Sequence, residues 1–376
     1  MTILYQELLI KKSKKILGLM SGTSMDGLDM CLAEVSLDND YSFEYQIINT
    51  KYEKFDIETI NFIKRGILDN SCLNELNIFL GKKYSDIVKQ YFFINEMDLI
   101  SMHGQTVTHI NGVKSIQVGD PSFLNDIFNV PIIYNFRYSD IEKGGNGAPL
   151  MPFLDWLLFR DYSTDVVTLN IGGISNISWI KRSGSINDVI GFDTGPGMSL
   201  IDEFVFLKWG LRYDDKGLLA INGKIDYEFL DELLNYDYIK KEPPKSTGRE
   251  EFGINMIHSL ISKFPNIDKF DFLRTLVRFT ADSIIDNLQH IKNIYSNDVS
   301  LIISGGGINN KLLVEDIKKK STFSNIIKSD DIGINSDIKE AFLMCVLGMG
   351  RFINLETNIP SVTGASKSVL CGDIYE

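Results

Sequence analysis

Two glycine-rich turns, each entered from an apolar run, are the first residues of this chain whose types and spacing could do chemistry. In Gly22-Thr23-Ser24-Met25-Asp26-Gly27, backbone N–H groups and the Ser21, Thr23 and Ser24 hydroxyls can converge on one anion, as phosphate-cradling turns do. The stretch begins like a P-loop, but Leu28 stands where that motif needs lysine and a strand rather than a helix follows, so the P-loop reading fails. Asp26 and Asp29 could hold a hydrated magnesium beside such an anion. The second turn, Gly172-Gly173-Ile174-Ser175-Asn176, offers similar donors without an acid and could hold another part of a polyphosphate. A third cluster, Gly305-Gly306-Gly307, would let a flat nucleotide base lie against the backbone. Taken alone, each cluster also reads as an ordinary tight turn.

Asp193 ends the apolar run Val189 to Phe192 and precedes Thr194-Gly195-Pro196-Gly197. A carboxylate at a strand end before a rigid turn is placed to act as a general base; it could equally cap a following helix. Asp202, on that helix, reads as structural. His103, Gln105, Arg137 and Asp140 lie in segments rich in glycine and polar groups, a donor and acceptor mixture suited to a sugar. Each of these could instead tie a loop down, and His109 reads that way. Pro243 to Glu250 brings Lys245 and Arg249 into a stiff loop that could contact a phosphate or carboxylate, or could start a helix capped by Ser246 or Thr247.

These residues must be positioned by strands and helices in alternation. Buried-strand runs are expected at 16–20, 99–102, 166–171 and 301–304, and helices at 270–291, 311–320 and 338–353. The pattern predicts an α/β protein. The runs at 16–25 and 167–176 resemble each other, each followed by a second strand-like segment, so two hairpins in two halves suggest a duplicated domain. The expected boundary falls near 160–165, with residues 1–163 and a returning tail at about 354–376 in one domain and 164–353 in the other.

Composition narrows the class. With Lys+Arg 38 against Asp+Glu 50, the net charge of −12 argues against a nucleic-acid partner. A 44% hydrophobic chain of 376 residues is globular rather than disordered or fibrous. Cys31, Cys72, Cys345 and Cys371 are too dispersed for a disulfide framework or zinc site, which suggests a reducing, cytoplasmic setting. The lysines at 11, 12, 14 and 15 follow rather than precede the apolar N-terminal stretch, the reverse of a secretory signal, and no apolar run reaches membrane-spanning length.

The order of two phosphate-type hairpins, a later glycine-rich turn and a carboxylate between them resembles the actin, hexokinase and heat-shock-chaperone superfamily. Within it the chain resembles the anhydro-N-acetylmuramic acid kinases, through Gly18 to Asp29, His103-Gly104-Gln105-Thr106, Gly119-Asp120-Pro121, Asn135-Phe136-Arg137, Gly147 to Leu150, Asn170 to Gly173, Phe192 to Gly197, Pro243 to Glu250 and Ile359 to Ala365. The resemblance implies two related domains of the actin/hexokinase-type ATPase fold, with an active-site cleft between them. It implies ATP-dependent opening and O6 phosphorylation of 1,6-anhydro-N-acetylmuramic acid in peptidoglycan recycling, with Mg2+, and a homodimer. Asp193 would then be the base. Gly22 through Asp29 would hold the ATP phosphates, with Gly172, Gly173 and Asn176 opposite, and Gly305 to Gly307 would lie against the adenosine. His103, Gln105, Arg137 and Asp140 would meet the sugar.

Three departures bear on this. The family usually has asparagine where Met198 stands and glutamine at Asn146, and many superfamily members carry an aspartate where this chain has Met20. The competing readings are a kinase of another anhydro sugar such as levoglucosan, which needs no site for a lactyl or N-acetyl group, and a nucleotide-dependent binding or regulatory protein without transfer activity.

Overall fold

The computed structural model describes residues 8, 10–22, 25–291, 294, 298–323 and 325–376. They form two compact units, one comprising the chain up to Leu157 together with Ile338–Glu376, the other Leu158–Asp337.

The first unit is built on a seven-stranded sheet. Its strands are β1 (Ser13–Ser21), β2 (Gly27–Leu37), β3 (Phe43–Lys54), β4 (Leu99–Ile110), β5 (Lys114–Val118), β6 (Ile132–Tyr134) and the C-terminal Asp373–Tyr375. The second carries five: β7 (Asp165–Ile171), β8 (Ile174–Ile180), β9 (Ile190–Pro196), β10 (Val299–Ser304) and β11 (Asn325–Lys328). Both sheets contain one pattern. In the order β3-β2-β1-β4-β6 and in the order β9-β8-β7-β10-β11, two antiparallel pairings are followed by two parallel ones. The two units are thus α/β repeats of one topology, and each opens on a hairpin.

Burial follows strand position. All of β10 (VSLIIS) is buried, as a central parallel strand covered on both faces must be. The edge strand β3 is mostly exposed and rich in charged and polar side chains, a composition that discourages pairing with other chains.

One helix departs from the expected domain division. Lys339–Phe352, assigned from sequence to the second domain, belongs to the first unit, lying on β1, β2 and β4. Ser101 Oγ donates to Met344 O at 2.6 Å, and a Cβ on Gly18 would come within 2.0 Å of Ala341 O, so only glycine permits this approach. The buried Lys339 Nζ meets the buried Asp155 Oδ1 at 2.5 Å. Twelve of the helix's residues are buried, so its apolar pattern has no polar face to show which sheet it covers. The helix expected at 311–320 is found there, whereas that expected at 270–291 runs from Lys269 to Asn287 and continues as a 3-10 turn, Leu288–His290. Among the described residues no helix is long and apolar enough to cross a membrane.

Candidate active site

In the first unit the turn between β1 and β2 is held from β4. Ser21 Oγ donates to Gln105 Oε1 at 2.5 Å, and Gln105 Nε2 donates to Gly22 O at 3.2 Å and Thr106 O at 3.3 Å. Gln105 is fully buried, and both ends of its amide are used in fixing this turn. Sequence reasoning gave it to the sugar; the geometry makes it a support for the phosphate-type hairpin. Met25 takes a positive φ of 57°, an uncommon conformation for a non-glycine residue. Thr23 and Ser24 lie outside the described residues. Leu28, expected at the nucleotide, is a core residue: its side chain is buried in β2 and its backbone pairs with Glu53 of β3. Asp29 is also a strand residue, paired with Met20 and Tyr52.

The remaining polar candidates of this unit form one chain of contacts. Arg137 Nε donates to His103 Nε2 at 3.0 Å and Nη1 donates to Gly147 O at 2.7 Å. With Nε2 accepting, His103 carries its proton on Nδ1 and donates it to Gly104 O at 2.9 Å. Burial, reinforced by the Arg137 cation, pushes His103 down to about 3, so it is a neutral imidazole. Burial lowers Arg137 to about 10, against the attraction of Glu340 and Asp140. Asp140 is fully buried, and its carboxylate accepts from Asn358 Nδ2 and Thr363 Oγ1, both at 2.7 Å, and from Gly147 N at 2.8 Å. It fastens the Gly144–Pro149 loop to the C-terminal segment, a role that leaves it no sugar to hold. His109 is satisfied locally by Ser115 and Asn111, as expected. Sequence reasoning missed Glu340, an exposed acid whose charge acts on the Arg137 cation; the only signal was an acid in the first turn of a largely apolar helix.

In the second unit Asp193 sits inside β9, five residues before Met198, the N-cap of the Ser199–Trp209 helix, so the capping alternative is excluded. Its main chain is fixed on both sides: Asp193 N donates to Lys245 O at 3.2 Å and Tyr238 Oη donates to Asp193 O at 2.9 Å. Its carboxylate Oδ2 accepts from Thr247 N at 2.9 Å. Burial, with Glu250 adding, raises the carboxyl to about 7 despite the Thr247 N–H and the Lys245 cation. A carboxylate poised near neutrality suits general-base work. The strand is anchored from behind by Asn287 Nδ2 on Thr194 O and Thr280 Oγ1 on Gly197 O, each at 3.1 Å.

Asn176 is a strand residue of β8 directly opposite Asp193, rather than part of the turn. The Gly172-Gly173 turn is locked onto the next one: Met198 N donates to Gly172 O, and Gly197 N and Ser199 N to Gly173 O. A Cβ on Gly173 would meet Arg249 Nε at 3.2 Å, which places the guanidinium against the turn while its Nη1 reaches Glu203 Oε1 at 3.4 Å. Lys245 instead points inward. No helix starts at 246 or 247, so the cap reading of that loop also falls.

The three glycines at 305–307 do not share one role. Gly305 has φ +86° and a Cβ there would strike Asn170 Oδ1 at 2.5 Å; one on Gly307 would strike Ile171 Cγ2 at 2.3 Å. Both are glycine because β7 is so close. Only Gly306 faces open space, so it alone fits the expected platform for a flat base.

Among the described residues no group of three or more histidine, cysteine or acidic side chains could cage a metal. Asp26 and Asp29, two acids rather than three, are the residues that could serve a magnesium, an ion that usually keeps several waters and binds with phosphates. Met198 packs partly buried against the second unit's core, where an asparagine would present an amide.

The chain thus holds two α/β repeats of one topology, each opening on a glycine-bearing hairpin, with a neutral-range carboxylate in the second. The model of the family "Anhydro-N-acetylmuramic acid kinase" matches residues 14–376. The chain is 37% identical over 379 residues to an anhydro-N-acetylmuramic acid kinase of Clostridioides difficile, covering 95% of this chain and 97% of that one. It is 36% identical over 393 residues to one of Caldanaerobacter subterraneus, covering 97% of each. The chain belongs to the anhydro-N-acetylmuramic acid kinase family.

Proposed function

We propose that the protein phosphorylates 1,6-anhydro-N-acetylmuramic acid with ATP while water opens the anhydro bridge, yielding N-acetylmuramic acid 6-phosphate and ADP in cell-wall recycling. The observation that carries this, beside family membership, is Asp193: its main chain held by Lys245 O and the Tyr238 hydroxyl, its carboxylate by Thr247 N, and its carboxyl raised to about 7. In the reaction a water proton passes to Asp193 as the water oxygen bonds to the anomeric carbon. The bond from that carbon to O6 breaks, its electron pair stays on O6, and O6 takes the γ-phosphoryl group as ADP leaves.

The Gly22 turn, braced by Gln105, is assigned to the ATP phosphates together with Gly172, Gly173 and Arg249; Gly306 is assigned to the adenosine. Asp26 and Asp29 would hold, through water, a magnesium that neutralises charge on the phosphate oxygens. His103 and Arg137 are assigned to the sugar, Arg137 suiting its carboxylate. Family resemblance supports a homodimer and a cytoplasmic location.

The test is ADP release on addition of the muramic anhydro sugar or levoglucosan, with wild type and Asp193→Asn in parallel. Release with the muramic sugar, lost in the variant, is expected. Turnover of levoglucosan alone would remove the substrate assignment, and would point to Met198 and Asn146 as the altered contacts.

A further inference from the structure

Lys245 is a charged side chain almost fully removed from water, and its ammonium is held by backbone carbonyls. Its Nζ donates to the carbonyls of Tyr238 and Ile239, at 3.0 and 3.4 Å, and lies over the Tyr238 ring 4.8 Å from its centroid. Burying an ammonium on two carbonyls and a ring is costly, and a packed apolar side chain would hold the segment at less cost. The loop it anchors makes the contacts that fix Asp193: Lys245 O accepts from Asp193 N, Thr247 N donates to Asp193 Oδ2, and Tyr238, whose carbonyl the lysine holds, donates its hydroxyl to Asp193 O.

We propose that Lys245 is a positioning residue for the reaction, clamping the Tyr238 segment to the Pro243–Glu250 loop so that the Thr247 N–H aims the Asp193 carboxylate at its water. One oxygen, Oδ2, is thereby committed to Thr247 and the other is left to take the proton. The same cation stabilises the ionised base, and Glu250 on the same loop opposes it. Around them, Tyr238 faces Asp193, while Lys241, Glu251 and His290 face Lys245. This rests on Asp193 being the base.

The experiment compares Lys245→Met, Lys245→Arg, Glu250→Gln and Asp193→Asn with wild type, reading kcat and KM for ATP and sugar across pH, and thermal midpoint. Lys245→Met is expected to lower kcat about 100-fold, the scale of a slight misplacement of a reacting group, with KM for ATP unchanged. Its acid limb should move to higher pH, because a cation favouring the ionised carboxylate is gone. Glu250→Gln should move that limb to lower pH. Lys245→Arg keeps the charge and disturbs the clamp, so kcat should fall with the limb in place. A folded Lys245→Met with wild-type kcat and limb would overturn the proposal. If that variant does not fold, Lys245→Arg decides, unchanged kcat being the contrary result. Activity retained by Asp193→Asn would instead overturn the base assignment itself.

Discussion

Asp193 shows how one side chain's surroundings set both its chemistry and a cost in stability. Its carboxyl stays protonated to about 7 in the folded chain, whereas an unfolded chain releases that proton near the usual carboxylate value. Since the folded pKa is the higher, the unfolded state binds fewer protons between the two values, and stability falls as pH rises through that window. Asp193→Asn should therefore melt higher than wild type at about pH 8, with the gain gone by about pH 4, a comparison calorimetry can make. For activity the sign is the opposite: the base works ionised, so kcat/KM should rise with pH through about 7. Asp193 was legible in the sequence as an acid before a rigid small-residue turn. Its partners were not, because Thr247, Lys245 and Tyr238 meet it largely through backbone atoms or from distant positions, which side-chain chemistry in a sequence does not reveal. Asp140 and Gln105 were visible as polar residues near glycines, but whether such a group faces a ligand or its own loop depends on contacts with Asn358, Thr363 and Ser21. Asp140→Ala removes the acceptor shared by Asn358, Thr363 and Gly147 N, and should cost about 3 kcal/mol in chemical denaturation.

Among the elements, the strands were read most easily, because central strands such as β1, β7 and β10 are largely apolar runs followed by a glycine. The two hairpins followed from them, while Asn176 moved from turn to strand because the second turn needs only Gly172 and Gly173. The Lys339–Phe352 helix was misassigned for a related reason, its burial on nearly every side erasing the period that would have shown its partner sheet. What fastens it is local: Lys339 on Asp155 at its start and Gly18 beneath Ala341. Lys339→Ala should destabilise by about 3 kcal/mol by taking the cation away from a buried carboxylate, read as a lower denaturation midpoint with Asp193 chemistry intact in the surviving folded fraction. Gln105→Leu removes the donor to Gly22 and the acceptor for Ser21, and should raise KM for ATP several-fold with a smaller change in kcat; an unchanged KM would detach the Gly22 turn from the nucleotide.

At the scale of the whole molecule, repetition of one strand order in two units makes the fold recognisable from a short echo between residues 16–25 and 167–176. The C-terminal segment completes the first unit, Asp373–Tyr375 pairing with β6 and Asn358 and Thr363 holding Asp140. A chain ending after Phe352 should accordingly lose the cooperative unfolding of that unit, which hydrogen exchange can resolve from the second. The central claim, a kinase in which water attacks carbon and O6 attacks phosphorus, is tested most directly by running the reaction in oxygen-18 water. Mass spectrometry of the products is expected to show N-acetylmuramic acid 6-phosphate carrying one label on the oxygen at C1. Label in the phosphate, or phosphosugar without label, would contradict it.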